Sequence, residues 1–272
     1  MWWDTHLHLD ALGDDGPDLV ADAVAVGVTH MVAVGVDPRR PATLVGPASS
    51  QHVPGLRVGF AVGLHPQELP AMNDDAVEEA LDALDARVDD DRGCTVAVGE
   101  VGLDARRGIG TGVGVGDDGD ALARQVRVMK RHLAVARRTG LPLVLHGVRR
   151  DGAMLQAIDD DVAAHGPLPP CLWHGYSGSR DTMRLAVARG LFISVGFMAL
   201  DARARRLREA IPDIPVERLV LETDAPPLAP ARIVDVAAAV AALRGVSVER
   251  LAETTSANAA ALFPRLAALS SR

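Results

Sequence analysis

Short runs of β-branched and apolar residues alternate along the chain with longer stretches in which apolar residues recur every three or four positions. This is the pattern of a parallel sheet whose strands are joined by crossover helices. Eight strands are predicted, over residues 2–7, 29–35, 57–62, 95–99, 141–145, 170–173, 191–195 and 219–223. Between them, residues 121–139 set Leu122, Val126, Met129, Leu133 and Ala136 on one helical face, and Gly140 supplies a stop. Two further helices, over 233–243 and 248–262, complete an outer layer. Eight strand-helix units in 272 residues predict one α/β domain over 1–272, a (β/α)8 TIM barrel, with an open doubly wound sheet as the alternative. No low-complexity linker or repeat of fixed period divides the chain.

Composition narrows the function. Aromatic residues make up only 3% of the chain, so the core is built from Ala, Val and Leu and offers few rings on which bases can stack. The formal net charge of −8 opposes tight binding to a duplex polyanion, and no stable duplex-DNA complex is expected. Cys94 and Cys171 have neither disulfide nor zinc-finger spacing and read as reduced buried thiols. No apolar run approaches the ~20 residues of a membrane span, and Met1, Trp2, Trp3 and Asp4 do not open a signal segment, so the expected location is the cytoplasm.

The polar residues that interrupt the strands carry the chemistry. On a strand, His6 and His8 face the same side about 7 Å apart, where two imidazoles can grip one cation. Glu100 follows the apolar run 95–99 and requires a charged partner or cations if buried. His146 and His174 each follow an apolar strand, and Asp224 ends the last one before Pro226 and Pro227 prevent its continuation. Six such residues at the C-terminal ends of predicted strands mark the face where barrel enzymes carry their sites. The mixed nitrogen and oxygen set suits Zn, Mn, Fe or Co, while Mg normally takes fewer imidazoles.

The ordered motifs DTHLHLD, GLHP around His65, GEVGLD around Glu100, LPLVLH to His146, WHGYSGS around His174, ETDAPPLAP around Asp224 and TTSANAAALF run nearly end to end. Together they resemble the TatD-like deoxyribonuclease family of metal-dependent hydrolases, within the amidohydrolase-type barrels. The resemblance implies that His6, His8, Glu100 and Asp224 hold one divalent metal ion. It implies that Glu100, His146 and His174 hold a second, with Glu100 bridging. The only lysine, Lys130, lies inside a helix and is no bridge. Two cations about 3.5–4 Å apart can activate water as hydroxide for attack on phosphorus. Asp224 is the candidate to orient that water and take its proton, and Asp224 and Glu100 are the expected catalytic residues.

The implied activity is phosphodiester cleavage, at DNA 3′ ends in exonuclease fashion or in small nucleotide esters. A carboxylic ester or amide hydrolase, for example on D-aminoacyl esters, and a non-catalytic accessory protein are the alternatives. His65 is expected to contact a phosphate oxygen. After His146 the family often has Ser or Cys and then Arg, whereas this chain has Gly147 and Val148, with Arg149 and Arg150 one step later. Arg149 is therefore the candidate for contact with substrate. The glycine-rich run 108–120 lacks nucleotide-loop spacing and reads as a βα loop whose place beside Glu100 allows a lid role. Asp89, Asp90, Asp91 and Arg92 read as a solvated helix end, Trp2 and Trp3 as floor packing, and His30, His52, His132 and His165 as outside the site.

Overall fold

The computed structural model describes residues 1–40, 53–89, 94–106 and 119–269; the glycine-rich run through Asp118, residues 90–92 and His52 lie outside the described residues. Eight strands follow one another around a sheet in chain order, every neighbouring pair parallel. They are β1 (Trp2–Leu7), β2 (Val28–Val34), β3 (Arg57–Val62), β4 (Thr95–Asp104), β5 (Leu143–Val148), β6 (Cys171–Trp173), β7 (Phe192–Val195) and β8 (Leu219–Leu221). The helices are α1 (Gly16–Ala25), α2 (Asp74–Asp89), α3 (Gly119–Thr139), α4 (Asp151–His165), α5 (Arg180–Ala188), α6 (Arg205–Ala210), α7 (Ile233–Arg244), α8 (Val248–Leu262) and α9 (Pro264–Ala268).

The ring closes between β1 and β8 through a seam of mixed bonds. Thr5 Oγ1 donates to the Leu221 carbonyl at 2.9 Å, and the backbone N–H groups of Asp224 and His8 donate to His6 O at 3.0 Å and Ala225 O at 2.9 Å. Asp4, fully buried below them, accepts from the Thr223 hydroxyl at 2.5 Å and the Thr223 N–H at 3.0 Å. The arrangement is the predicted TIM-type barrel.

Strand residues alternate between two cores, as a period of two requires. Met31, Leu143, Leu145, Cys171, Trp173, Leu219 and Leu221 pack outward against the helices. Val32, Val34, Val144, Leu172 and Val220 pack inward, with Ala259, Leu262, Phe263 and Leu266. Because α8 touches β1 and β8 while α9 touches β3 and β4, the C-terminal segment lies across the barrel and plugs its lower mouth. Trp3 belongs to this floor and stacks on His30 with ring centroids 3.8 Å apart, whereas Trp2 joins the outer core. Asn258 ties α8 to the wall by donating to Val216 O at 2.7 Å and Leu219 O at 2.8 Å.

One prediction about the strands is corrected. β4 does not end at Gly99 but continues to Asp104, so Glu100 sits within the strand and not at its end. Similarly β5 runs through His146 to Val148. Glycine here permits a bulge: the β4–β5 register slips between Gly99 and Val101. Gly99 has φ +132°, and a Cβ there would lie 2.6 Å from the Val144 carbonyl oxygen. Only glycine fits that position.

Candidate metal centre

The inward parity of each strand carries over from core to site. Two residues beyond inward Val144 comes His146, two beyond Leu172 comes His174, and two beyond Val220 comes Glu222, with Asp224 two further on. Six of the seven other candidate side chains gather around Glu100, which is 1% exposed. Glu100 Oε1 faces His146 Nδ1 and His174 Nε2, both at 2.5 Å, and His65 Nε2 at 3.4 Å. Its Oε2 faces His6 Nε2 at 3.4 Å and His8 Nε2 at 3.8 Å, and Asp224 Oδ1 lies 3.8 and 3.6 Å from those same two nitrogens. The eighth candidate, Arg149, is exposed with φ +56° and lines neither cleft above the centre.

The outer nitrogen of each imidazole fixes what its inner nitrogen can do. His8 Nδ1–H donates to Val34 O at 3.0 Å, leaving a lone pair on the inward Nε2. His146 Nε2–H donates to Asp104 Oδ2 at 2.8 Å, leaving Nδ1 free to ligate. His174 Nδ1 faces Glu222 Oε1 at 3.5 Å, and Glu222 is itself held by the Gly175 N–H at 2.6 Å. His65 is reversed. Its Nδ1 accepts from the Gln67 N–H at 3.1 Å, so the neutral ring carries its proton on the inward Nε2 and presents a donor.

Burial pushes His65 down to about 4, against the pull of Glu100, so it is neutral at pH 7. Burial acts to raise Glu100, but the imidazoles around it, His174 first and then His65, His6 and His146, hold it well below the usual carboxylate range. His174 and His146 are both raised: burial acts to lower them, and Glu100 together with Glu222 for His174, and with Asp104 for His146, outweighs it. Burial lowers His6 and raises Asp224. Contacts as short as those to Oε1 require positive charge between the partners, which a shared proton or a cation supplies. Asp4 beneath the centre is pushed up to about 7 by burial, despite its bonds to Thr223.

The residues fit a metal on independent grounds. Among the described residues, His6 Nδ1 and Nε2, Glu100 Oε2, His174 Nδ1 and Glu222 Oε2 are buried without a hydrogen-bond partner. Each orphan costs about 1–3 kcal/mol unless something else satisfies it. Ligand atoms around a tetrahedral cation with bonds of about 2.1 Å stand about 3.4 Å apart. The four contacts among His6, His8, Glu100 and Asp224, at 3.4 to 3.8 Å, come close to that spacing. Three overlapping groups have ligand atoms within 4.8 Å of one another: His6, His8 and Glu100; His65, Glu100 and His146; and His6, His174 and Glu222. Geometry alone admits His65 as a ligand, but its tautomer argues for a donor.

Asp104, Arg106, Gln67 and Glu222 were given no role from sequence. Glu222 is legible from parity with Val220. Asp104 is not, because the bulge breaks the alternation of β4. Asp104 is fully buried and is held well below the carboxylate range: burial opposes this, and its bonds from His146 and Arg106 prevail. Two adjoining clefts open above the centre. One of about 190 Å³ runs past Phe197 and Met198, and the other of about 330 Å³ runs past Asp10, Val36 and Gln67.

Comparison with known proteins agrees with this geometry. A family model described as TatD related DNase matches residues 3–264. An uncharacterized metal-dependent hydrolase TatD from Mycobacterium tuberculosis is 35% identical over 236 residues, covering 84% of this chain and 80% of that protein. A 3′-5′ ssDNA/RNA exonuclease TatD from Citrobacter koseri is 29% identical, over 92% of this chain and 93% of its own. The crystal structure of YJJV, a TatD homolog from Escherichia coli K12, superposes with TM-score 0.80 at 25% identity, covering 97% of this chain and 98% of that one. Among the described residues, no helix is long and apolar enough to cross a membrane. A match over nearly the whole chain, on a barrel whose buried imidazoles and carboxylates can hold cations, identifies this protein as a member of the TatD-related DNase family of metal-dependent hydrolases.

Proposed function

We propose that the chain is a two-metal phosphoesterase acting on the 3′ ends of single-stranded DNA or on small nucleotide esters. The observation that carries this reading is the division of Glu100, whose two oxygens face two different sets of ligand nitrogens. His6, His8, Glu100 and Asp224 would hold one divalent cation, and Glu100, His146 and His174 the other. Two cations so held lower the pKa of a water towards about 7 and neutralise charge on the attacked phosphate.

The side chains do the rest. Asp224, 23% exposed and adjacent to both clefts, orients the attacking water and accepts its proton. Its backbone is held at φ +54° by the bond to His6 O, a conformation that non-glycine residues adopt where the surroundings enforce it. His65 donates Nε2–H to a phosphate oxygen. Glu222 and Asp104 keep the rings of His174 and His146 turned inward. The C. koseri relative's name, an exonuclease on ssDNA and RNA, supports this substrate class, and the acidic charge of −8 disfavours stable duplex binding.

The test is elemental analysis of protein purified without chelator, followed by assay on single-stranded DNA, nucleotide esters and D-aminoacyl esters beside Glu100→Ala. Two metals per chain and Glu100-dependent cleavage of the phosphoesters are expected. A metal-free active protein, or activity indifferent to Glu100→Ala, sinks the reading.

A further inference from the structure

A phosphoester site needs donors for the phosphate oxygens beyond its cations, and among the described residues Arg106 is better placed to supply them than Arg149. Arg106 lines both clefts and Arg149 neither. Two residues beyond Asp104, Arg106 donates to Asp104 Oδ2 from Nε at 2.9 Å and from Nη2 at 2.7 Å, and its backbone N–H donates to Oδ1 at 2.6 Å. The same Oδ2 accepts from Gln67 Nε2 at 2.7 Å and His146 Nε2 at 2.8 Å. The Asp104 backbone N–H is in turn held by Gln125 Oε1 at 3.0 Å.

One edge of the guanidinium is therefore fixed to a rigid, buried carboxylate that also fixes a ring of the metal centre. The opposite nitrogen, Nη1, has no partner among the described residues, and the side chain is 48% exposed. Nη2 lies 3.3 Å from His146 Nε2 and the side chain lines both clefts, so the guanidinium stands at the rim of the centre. Since Asp104 already balances its charge, what Arg106 offers is aimed N–H donors more than long-range attraction. A planar fork locked along one edge suits a phosphate oxygen in a way that a flexible ammonium does not.

We propose that Arg106 is the side chain that grips an anionic oxygen of the substrate phosphate, with Asp104 as the positioning residue that aligns it with His146. This deepens the phosphoesterase reading and rests on it for the identity of the ligand, but binding can be tested apart from turnover. The probe is thymidine 5′-monophosphate, titrated calorimetrically into metal-loaded wild type, Arg106→Ala, Arg106→Lys, Arg149→Ala and, as a control for loss of one distant positive charge, Arg184→Ala. Metal content and melting temperature are measured on each.

Arg106→Ala is expected to weaken binding about tenfold to hundredfold, with metal content unchanged. Arg106→Lys should recover only part of that, and Arg184→Ala should lose nothing. Equal affinity in wild type and Arg106→Ala overturns the proposal. So does an equal loss in Arg149→Ala, or a fall in metal content large enough to explain the loss. If wild type binds the nucleotide through Arg106 yet cleaves no phosphoester, the proposal stands and the catalytic reading falls.

Discussion

The inward face of the barrel changes character within a single step of each strand. Val144, Leu172 and Val220 look into a floor sealed by Leu262, Phe263 and Leu266; two residues later His146, His174 and Glu222 look into the candidate metal centre. The floor is satisfied by packing alone and leaves nothing wanting. The centre keeps buried nitrogens and oxygens without partners and is completed only by what it binds. The same backbone thus serves stability at one end and chemistry at the other, and the two should respond differently to change.

The largest separation should come from Glu100→Ala. It removes the one carboxylate shared by both ligand sets, and activity should fall about a thousandfold, roughly 4 kcal/mol in the barrier. The melting temperature of the metal-free protein should shift by only a few degrees, since loss of the contacts to His146 and His174 is offset by removal of a buried charge with an unpartnered oxygen. A melting curve that collapses instead would break the comparison. The mirror experiment is Leu172→Ala in the floor, expected to cost about 2–5 kcal/mol in urea denaturation while kcat of the folded fraction holds. Loss of kcat without loss of stability would show that the two ends are not separable.

His132 tests a tie between the helical layer and the site end. It is fully buried, donates Nδ1–H to Val128 O at 2.8 Å and accepts the Leu64 N–H on Nε2 at 3.0 Å, next to His65. Burial lowers it to about 4 from the ordinary 6.5. The native state therefore refuses a proton that the unfolded chain accepts. Its effect is absent above pH 7, and stability falls as pH drops from 6.5 to 4, by about 3 kcal/mol at the end of that window. Urea midpoints of wild type and His132→Gln at pH 7 and pH 4.5 should show a smaller acid loss in the variant. Parallel slopes would remove the tie.

Smaller again is Asp104→Asn, which should weaken metal binding or activity about tenfold to hundredfold by freeing His146 and Arg106, with the floor untouched. Metal affinity equal to wild type would place Asp104 outside the centre's support. The smallest effect belongs to Asn258→Ala, which removes two bonds from α8 to the wall. A loss of about 1–2 kcal/mol with unchanged kcat is expected, read as a lowered melting temperature.

What the sequence revealed follows the same division. β1 and β3 fall on the predicted residues 2–7 and 57–62, and α3 begins at Gly119 against a predicted 121, because alternation and helical period are properties of the local chain. The site residues were legible where they continue a clean strand, as His146 and His174 do. β4 misled, since the strand was expected to end at Gly99 and instead continues through a bulge to Asp104, and with the strand cut short Asp104 had no place to be inward. Arg106 carries no local signal at all. Its position depends on a buried carboxylate whose other partners come from Gln67 and His146, and such a junction exists only in three dimensions.

The seam between β1 and β8 bears on how the molecule comes into being. Thr5 meets Leu221 across 216 positions and Asp4 meets Thr223 across 219, among the most distant pairings the chain can make. Closing so long a loop is costly in entropy and late in folding. His6 and His8 leave the ribosome first, yet their carboxylate neighbour Asp224 arrives only with the final strand. A chain interrupted before β8 would carry both histidines and still lack that side of the centre, so the set formed by His6, His8, Glu100 and Asp224 is complete only once the ring has closed, whereas Glu100, His146 and His174 are assembled without it.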